Sequence, residues 1–267
     1  MGRTLASAAV ACLALASACA GTETGNGQKP REKVTQVVLK LSDGREGAPA
    51  TYAAVDADGE PVVIDAAWVH IDELAFHFAD GVSCTSVFDP AAFVVEGGAL
   101  AGAACDDDDD RLRIEGPFVV DLMTGHAEPS LDAVPLPPGT YRHAEAMLTR
   151  AKGDLPPLGG ETLVAHGALG SGEDARPFRL ALGFTAFATF DGELAVEAET
   201  GGHAHLLFDV RGWFGALPLS ACADAGSFEA DPDGTLVLRD GGQGCPHVEQ
   251  ALRDAIRAAT RLADRTE

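Results

Sequence analysis

Alternation of apolar and polar residues is the feature that most limits what this chain can fold into. Between residues 111 and 123, the charged side chains all lie at odd positions, and the even positions carry Leu112, Ile114, Phe118, Val120 and Leu122. A period of two is typical of a strand with one buried face, because successive side chains of a strand point to opposite sides of the sheet. Shorter apolar runs predict further strands at residues 33–41, 140–149, 161–169, 176–190, 194–199, 203–211 and 235–239.

The longest predicted strand, residues 61–79, changes phase part of the way along. Its apolar residues lie at odd positions at Val69 and Ile71 and then at even positions at Leu74, Phe76 and Phe78. A change of phase at Asp72 and Glu73 predicts a β-bulge or a bend, since an extra residue is needed to keep one face buried. Gly116 and Pro117 likewise predict a bend or an edge position within residues 111–123. Asp191-Gly192 is typical of a hairpin turn after Phe190.

A helix is predicted only at the C-terminal end, over residues 246–264. Pro246 suits the first helical position, and apolar residues then recur every three or four positions, at Val248, Leu252, Ala255, Ile256, Ala259 and Leu262. Many short strands separated by turn residues, followed by one helix, predict an all-β fold. We expect residues 33–267 to form an antiparallel β-sandwich with one C-terminal α-helix.

The amino-acid composition argues against several classes of protein. The chain has 41 acidic and 19 basic residues and a formal net charge of −22. Nucleic acids and anionic membrane surfaces attract clustered Lys and Arg, so neither is an expected partner. Hydrophobic residues make up 46% of the 267 residues, which is too many for a disordered chain.

The first residues are typical of an export leader. Arg3 precedes a short apolar stretch at residues 5–16, which is too short to cross a membrane core of about 30 Å. Small residues then lead directly to Cys19, in the segment LASACAG at residues 15–21. This resembles a bacterial lipobox, in which the cysteine is lipidated and becomes the new N-terminus. Cleavage at an A-x-A site, either before Cys19 or after Ala20, is the alternative.

Lipidation predicts residues 1–18 as a signal peptide and residues 19–32 as a lipid-anchored flexible tether. The tether segment is rich in Gly, Thr and charged residues and has no apolar periodicity. Residue 20 is Ala rather than Asp, a pattern that resembles sorting to the outer membrane rather than retention in the inner one. We therefore expect an exported protein held on the cell envelope by its N-terminal lipid.

Four cysteines remain once Cys12 in the leader and Cys19 are set aside, and they allow three pairings. We favour Cys84–Cys105 and Cys222–Cys245, because each pair encloses a loop-like segment of about twenty residues, and closing such a loop stabilises the fold by about 3 kcal/mol. A thiolate metal site is disfavoured, since the chain has no C-x₂-C spacing.

Three segments resemble a family of uncharacterised bacterial lipoproteins, described only as a domain of unknown function. They are WVHIDELAFH at residues 68–77, GPFVVDLM at residues 116–123 and LPPGTY at residues 136–141. The resemblance spans residues 35–148, about half of the predicted mature chain. It implies a β-sandwich lipoprotein but transfers no catalytic residue.

Two groups of side chains are candidate metal ligands. The acidic run comprises Asp106, Asp107, Asp108, Asp109 and Asp110. It could capture Ca²⁺ through carboxylate oxygens, or it is a solvated loop of like charges. His203 and His205 would lie on one face of a strand, which suits a transition metal. The other face of that strand carries Ala204, Leu206, Phe208 and Val210 and is the expected inward face, which predicts that the two histidines point to solvent.

Two D-x-D-G segments, at residues 56–59 and 231–234, could be parts of calcium loops. Neither has ligands over the twelve residues that an EF-hand requires. Asp-Gly is also common in hairpin turns, and we favour turns at both places.

No catalytic motif is recognisable, including G-x-S-x-G, H-E-x-x-H and the phosphate-binding loops. The leading hypothesis is therefore a non-enzymatic, lipid-anchored β-sandwich with a binding or structural role, without a cofactor, whose partner is a protein or a glycan. A Ca²⁺-dependent carbohydrate-binding module is the alternative, and a hydrolase is the third hypothesis.

Overall fold

The computed structural model describes residues 35–44, 50–88, 102–106, 108, 110–131, 134, 136–153, 155–197, 202–239 and 247–264. These residues belong to one compact unit, Glu32–Glu267. The predicted signal peptide, Cys19 and the tether lie outside the described residues, as do Asp107, Asp109 and Cys245.

Fourteen strands and four helices make up the described part of the chain. The strands are β1 (Thr35–Ser42), β2 (Tyr52–Val55), β3 (Pro61–Phe78), β4 (Ala103–Cys105), β5 (Arg111–Asp121), β6 (Ala127–Glu128), β7 (Gly139–Leu148), β8 (Leu163–Leu169), β9 (Arg176–Leu182), β10 (Ala186–Val196), β11 (Gly202–Asp209), β12 (Glu229–Ala230), β13 (Leu236–Arg239) and β14 (Thr260–Asp264). The helices are α1 (Cys84–Val87), α2 (Val210–Phe214), α3 (Leu219–Asp224) and α4 (Val248–Ala258).

The strands form two sheets, so the all-β, sandwich-like prediction is confirmed. One sheet has three strands in the order β1-β11-β14, and the other has eleven strands around β3. Most neighbours run antiparallel, but β1 with β11 and β9 with β13 run parallel. These two pairs make the orientation mixed rather than antiparallel throughout, because alternation within a strand does not specify the direction of a partner that is distant in sequence.

Strand β3 joins the two halves of the larger sheet. Its first half pairs with β2 and β8, and its second half pairs with β5 and β7. Register shifts at Ile64/Ala66 and at Ile71/Glu73 mark two bulges. The second is the predicted bulge, which is therefore confirmed, and the first was missed.

The bulges keep the apolar residues of β3 in one core. The buried residues change phase twice, in the order Val62, Ile64, Ala67, Val69, Ile71, Leu74, Phe76 and Phe78. Each change of phase coincides with a bulge, where one extra residue rotates the next half-strand by one position. The whole strand therefore faces one core although it bends twice.

A glycine on the partner strand lies beside each bulge. Gly167 of β8 pairs with Ile64, and a Cβ atom at this position would overlap the carbonyl oxygen of Val63. Gly116 of β5 lies across from the second bulge, where a Cβ atom would come within 2.7 Å of the Ile71 oxygen and 2.8 Å of the Asp72 oxygen. The bulged backbone of β3 thus requires a glycine on each of the two neighbouring strands, β8 and β5.

The buried hydroxyl of Tyr141 fixes the turn before β7. Its oxygen donates to the carbonyl of Pro137 at 2.6 Å, so the turn at residues 136–141 is tied to the core by a side chain. Burial raises the pKa of Tyr141 far above its usual range, which keeps the hydroxyl a donor.

The C-terminal helix is shorter than predicted. Helix α4 ends at Ala258, and the residues after Ala259 form β14, which pairs with β11. The expectation of a helix through residue 264 was wrong, because Leu262 is buried opposite Leu206 in a sheet rather than on a helical face. Apolar spacing alone cannot separate these outcomes at the end of an amphipathic segment.

The predicted hairpin at Asp191-Gly192 is also absent. Strand β10 runs through both residues as one strand and shifts register between Asp191 and Leu194 against β7. The break lies earlier, between β9 and β10, where the Phe184 backbone exchanges hydrogen bonds of 2.6 and 2.9 Å with Thr162 Oγ1. The strand predicted over residues 176–190 is therefore interrupted at Phe184, where the backbone bonds to the Thr162 side chain.

Cysteine pairing agrees with the prediction where the structure describes it. Cys84 and Cys105 form a disulfide, with their Cα atoms 5.7 Å apart. Cys222 is disulfide-bonded as well, and its partner is not among the described residues. The pairing of Cys222 with Cys245 stays a prediction.

Replacement of Gly167 by Ala tests the first bulge. We expect Gly167→Ala to lower the free energy of unfolding by about 2–3 kcal/mol, because the new methyl group overpacks against the Val63 carbonyl. The measurement is denaturant unfolding followed by circular dichroism. Gly153→Ala is the control: that site is exposed with open space around it, so its left-handed backbone alone costs about 1 kcal/mol. Equal losses in both variants would contradict the expectation.

Candidate functional site

Charged and imidazole side chains gather on one side of the larger sheet, which we call the polar face. Strand register places Arg111, His77, His143 and Asp191 in one row across β5, β3, β7 and β10. The neighbouring row carries Arg113 and Glu145. The opposite side of these strands packs into the core, so this side is the one left for polar groups.

The centre of the polar face is a stacked pair of histidines. The rings of His77 and His143 lie 4.0 Å apart between centroids, with an angle of 20° between their planes. His77 is 8% exposed, and His143 and Glu145 are half-buried. His77 Nε2 donates to Glu145 Oε2 at 3.2 Å. The three side chains therefore form one connected cluster, which we call the histidine–glutamate cluster.

Two arginines border the cluster and are held by carboxylates. Arg111 Nε donates to Asp106 Oδ2 at 2.6 Å, and Arg111 Nη1 lies 3.7 Å from Glu145 Oε2. Arg142 donates to Asp110 Oδ2 at 3.0 Å and to Asp80 Oδ1 at 2.9 Å. Asp110 Oδ2 in turn lies 4.0 Å from His77 Nδ1. Cations and carboxylates thus alternate around the imidazoles.

The surroundings of His143 favour the neutral form of its imidazole. Burial lowers the pKa of His143 below its usual range, and the neighbouring His77 and Arg142 add to this effect, while Glu145 and Asp191 oppose it. A neutral imidazole has a lone pair available as a ligand or as a hydrogen-bond acceptor.

The cluster offers two imidazole nitrogens and one carboxylate oxygen, and its ligand atoms lie within 4.8 Å of one another. Among the described residues, these three form the group of His, Cys, Asp or Glu side chains whose ligand atoms lie close enough together to hold one metal ion. This combination of donors suits binding of a transition-metal ion or of a polar group on a partner.

The acidic run contributes to the same region, in a way that differs from a calcium loop. Asp106 and Asp110 make ion pairs with Arg111 and Arg142, and Asp108 is exposed. Two of the three described carboxylates of the run therefore serve as partners of arginines. Asp107 and Asp109 lie outside the described residues, and Ca²⁺ capture by the run stays a prediction.

The second predicted ligand pair lies elsewhere. His205 is in the central strand of the three-stranded sheet, between Val38 and Ala263, and is 8% exposed. The expectation that it faces solvent was wrong, because Leu207 on the same side of β11 is buried too, so both faces of this strand are covered. The side chain of His203 is outside the described residues. The structure brings neither His70 nor His77 into a described three-residue group with His205.

The sequence contains a partial indication of the histidine–glutamate cluster. Once the phase changes at Asp72-Glu73, His77 falls on the face opposite Phe76 and Phe78, and His143 and Glu145 share a face by their spacing. Their proximity was missed because it depends on the register of β3 against β7.

The first D-x-D-G segment is a turn, as predicted, and it also holds a helix in place. The Asp56 carboxylate accepts hydrogen bonds from the backbone N–H groups of Asp58 and Glu60 at 2.9 Å and of Ser220 at 2.8 Å. Asp58 accepts from Ala221 N at 3.1 Å. Ser220 and Ala221 lie in the first turn of α3, where backbone N–H groups have no partner within the helix. These two groups are instead hydrogen-bonded by a turn that is distant in sequence.

Comparisons with protein-family models, with curated proteins and with solved structures find no match to this chain. Among the described residues, the helices are too short or too polar to span a membrane.

Replacement of Asp56 by Asn tests the link between the turn and α3. Burial by itself raises the pKa of Asp56, but the hydrogen bonds from Ser220, Glu60 and Asp58 outweigh it and leave the pKa below the ordinary 3.8. We expect Asp56→Asn to lower the free energy of unfolding by about 2 kcal/mol at pH 7. Since the folded pKa is the lower one, the difference from wild type persists above about pH 4 and shrinks as the pH falls through the folded value.

Urea unfolding between pH 2 and 7 measures this difference. Asp231→Asn is the control, because Asp231 starts the second D-x-D-G turn and its carboxylate is an exposed group 3.9 Å from Arg179. We expect the control to change the free energy of unfolding by less than about 1 kcal/mol. A constant difference across the whole pH range would contradict the assigned role of Asp56.

Proposed function

We propose that this protein is an exported, lipid-anchored β-sandwich of the cell envelope that acts by binding, and that the polar face is its binding surface. The proposed role involves neither catalysis nor binding of nucleic acid. Its partner is a ligand, protein or glycan recognised by imidazole, carboxylate and guanidinium groups.

The observation that carries the export part is the disulfide between Cys84 and Cys105. Disulfides persist in oxidising compartments, whereas cytosolic thiols are kept reduced. The bonded state of Cys222 supports the same location. Export in turn supports the leader at residues 1–18 and lipidation at Cys19, and Ala20 supports sorting to the outer membrane.

The histidine–glutamate cluster supports the binding part. Its side chains project from β3 and β7, two strands in the middle of the sheet, so the backbone that carries them is fixed by hydrogen bonds on both sides. Binding groups on such strands are held more accurately than groups on loops. A protein that recognises a ligand without transforming it needs this kind of rigid surface.

Calcium-dependent carbohydrate binding remains the alternative, but the described contacts favour it less. Asp106 and Asp110 are paired with Arg111 and Arg142, and a calcium ion would have to compete with these cations for the same oxygens.

The intact mass of protein purified from its own host tests the proposal. We expect loss of residues 1–18, a mass increase from acyl chains on Cys19, and the loss of four hydrogen atoms that two disulfides require. Cys19→Ala should remove the acyl mass and release the protein from the membrane fraction. Cys12→Ala is the matched control, since that cysteine lies in the predicted leader, and its mature mass should equal that of wild type.

An uncut leader would contradict the proposal. So would four free thiols among Cys84, Cys105, Cys222 and Cys245, because the export argument depends on their oxidation.

A further inference from the structure

We propose that His77, His143 and Glu145 form a site for one Zn²⁺ ion on the polar face. The inference rests on the proposed function only in taking this face as the binding surface, and it does not depend on lipidation. Two imidazoles with one carboxylate are a common set of protein ligands for zinc, and they leave a fourth position for water or for a group of a partner. Hard cations such as Ca²⁺ and Mg²⁺ prefer sites made of oxygen alone.

The distances in the cluster are close to those that zinc requires. Two ligands of a tetrahedral zinc ion, each about 2.0–2.1 Å from the metal, lie about 3.3 Å from one another. His77 Nε2 and Glu145 Oε2 are 3.2 Å apart. The third ligand, on His143, lies directly opposite His77 in the strand register, and its atom is within 4.8 Å of the other two. Because the two rings are stacked with 20° between their planes, closing the site requires the His143 ring to turn about its side-chain torsions, so that its nitrogen lone pair points at the same ion as Nε2 of His77.

The other nitrogen of His77 supplies an independent indication. His77 Nδ1 is buried and makes no hydrogen bond to any described residue, and a buried polar atom in that state is costly. When Nε2 binds a metal, its proton moves to Nδ1, which then becomes a donor. Asp110 Oδ2 lies 4.0 Å from Nδ1, about 1 Å beyond hydrogen-bond distance. Zinc-bound histidines commonly donate their second ring N–H to a carboxylate, and an approach of about 1 Å would make Asp110 such a positioning residue for His77.

The charges around the cluster also favour a divalent cation. Among the described residues nearest the cluster, carboxylates outnumber guanidinium groups, with Asp106, Asp110, Glu145 and Asp191 beside Arg111 and Arg142. A Zn²⁺ ion would offset part of this negative charge. Arg111 does not compete strongly for Glu145, because its closer partner is Asp106, at 2.6 Å against 3.7 Å.

The test is zinc binding by the full-length protein, expressed without a histidine tag in its own host and purified in detergent. The protein is stripped with a chelator, dialysed and titrated with ZnCl₂ by isothermal calorimetry. We expect one Zn²⁺ per chain. Titration with CoCl₂ should give the intense visible bands of four-coordinate Co²⁺ rather than the weak bands of the six-coordinate ion.

Variants separate a metal site from a purely structural network. His143→Ala and Glu145→Gln should weaken zinc binding by about 100-fold or more, and Asp110→Asn, which removes the positioning carboxylate, by about 10-fold. His126→Ala is the control, because His126 is exposed on a turn outside the cluster, and its affinity should equal that of wild type. Glu145→Gln keeps the size of the side chain, so it tests the ligand even if His143→Ala fails to fold.

Thermal unfolding with and without ZnCl₂ completes the test. Zinc should raise the midpoint of wild type and His126→Ala and leave that of Glu145→Gln unchanged. The proposal is overturned if folded wild type binds no stoichiometric zinc, or if Glu145→Gln binds zinc as tightly as wild type. Neither result alters the intact mass, so failure of this inference is distinguishable from failure of the export proposal.

Discussion

The pairing of β3 with strands on both sides along its length is the constraint on which the rest of the structure depends. The strand extends from Pro61 to Phe78 and hydrogen-bonds to β2, β8, β5 and β7. Its apolar residues change phase twice along the strand. Two bulges keep them on the inner side, because each extra residue rotates the next part of the strand by one position.

The second bulge has a direct consequence for the polar face. It places Leu74, Phe76 and Phe78 in the core, and His77 must then point to the other side. Without the shift, His77 would face inward among the aromatic residues around Tyr141. The position of the cluster therefore follows from the same irregularity that lets β3 contribute to both halves of the sheet.

Side-chain hydrogen bonds to backbone groups hold the periphery of the fold. The carboxylates of Asp56 and Asp58 satisfy the start of α3, and the hydroxyl of Tyr141 holds the turn at Pro137. The D-x-D-G segment at residues 56–59 was recognised from the sequence only as a turn, because the turn conformation is local. Their second role depends on a partner such as Ser220, which lies far along the chain, and a local pattern cannot specify it.

The sequence by itself predicted most of the longer strands and the bulge at Asp72-Glu73, because period-two alternation is a local property of the chain, and it favoured Cys84–Cys105 among the possible cysteine pairings. Tertiary structure alone decided the parallel pairs, the burial of His205 and the conversion of residues 260–264 from predicted helix to strand. It also decided the approach of His143 and Glu145 to His77. Each of these depends on which strands become neighbours and in what register, and that choice is set by the packing of the whole core.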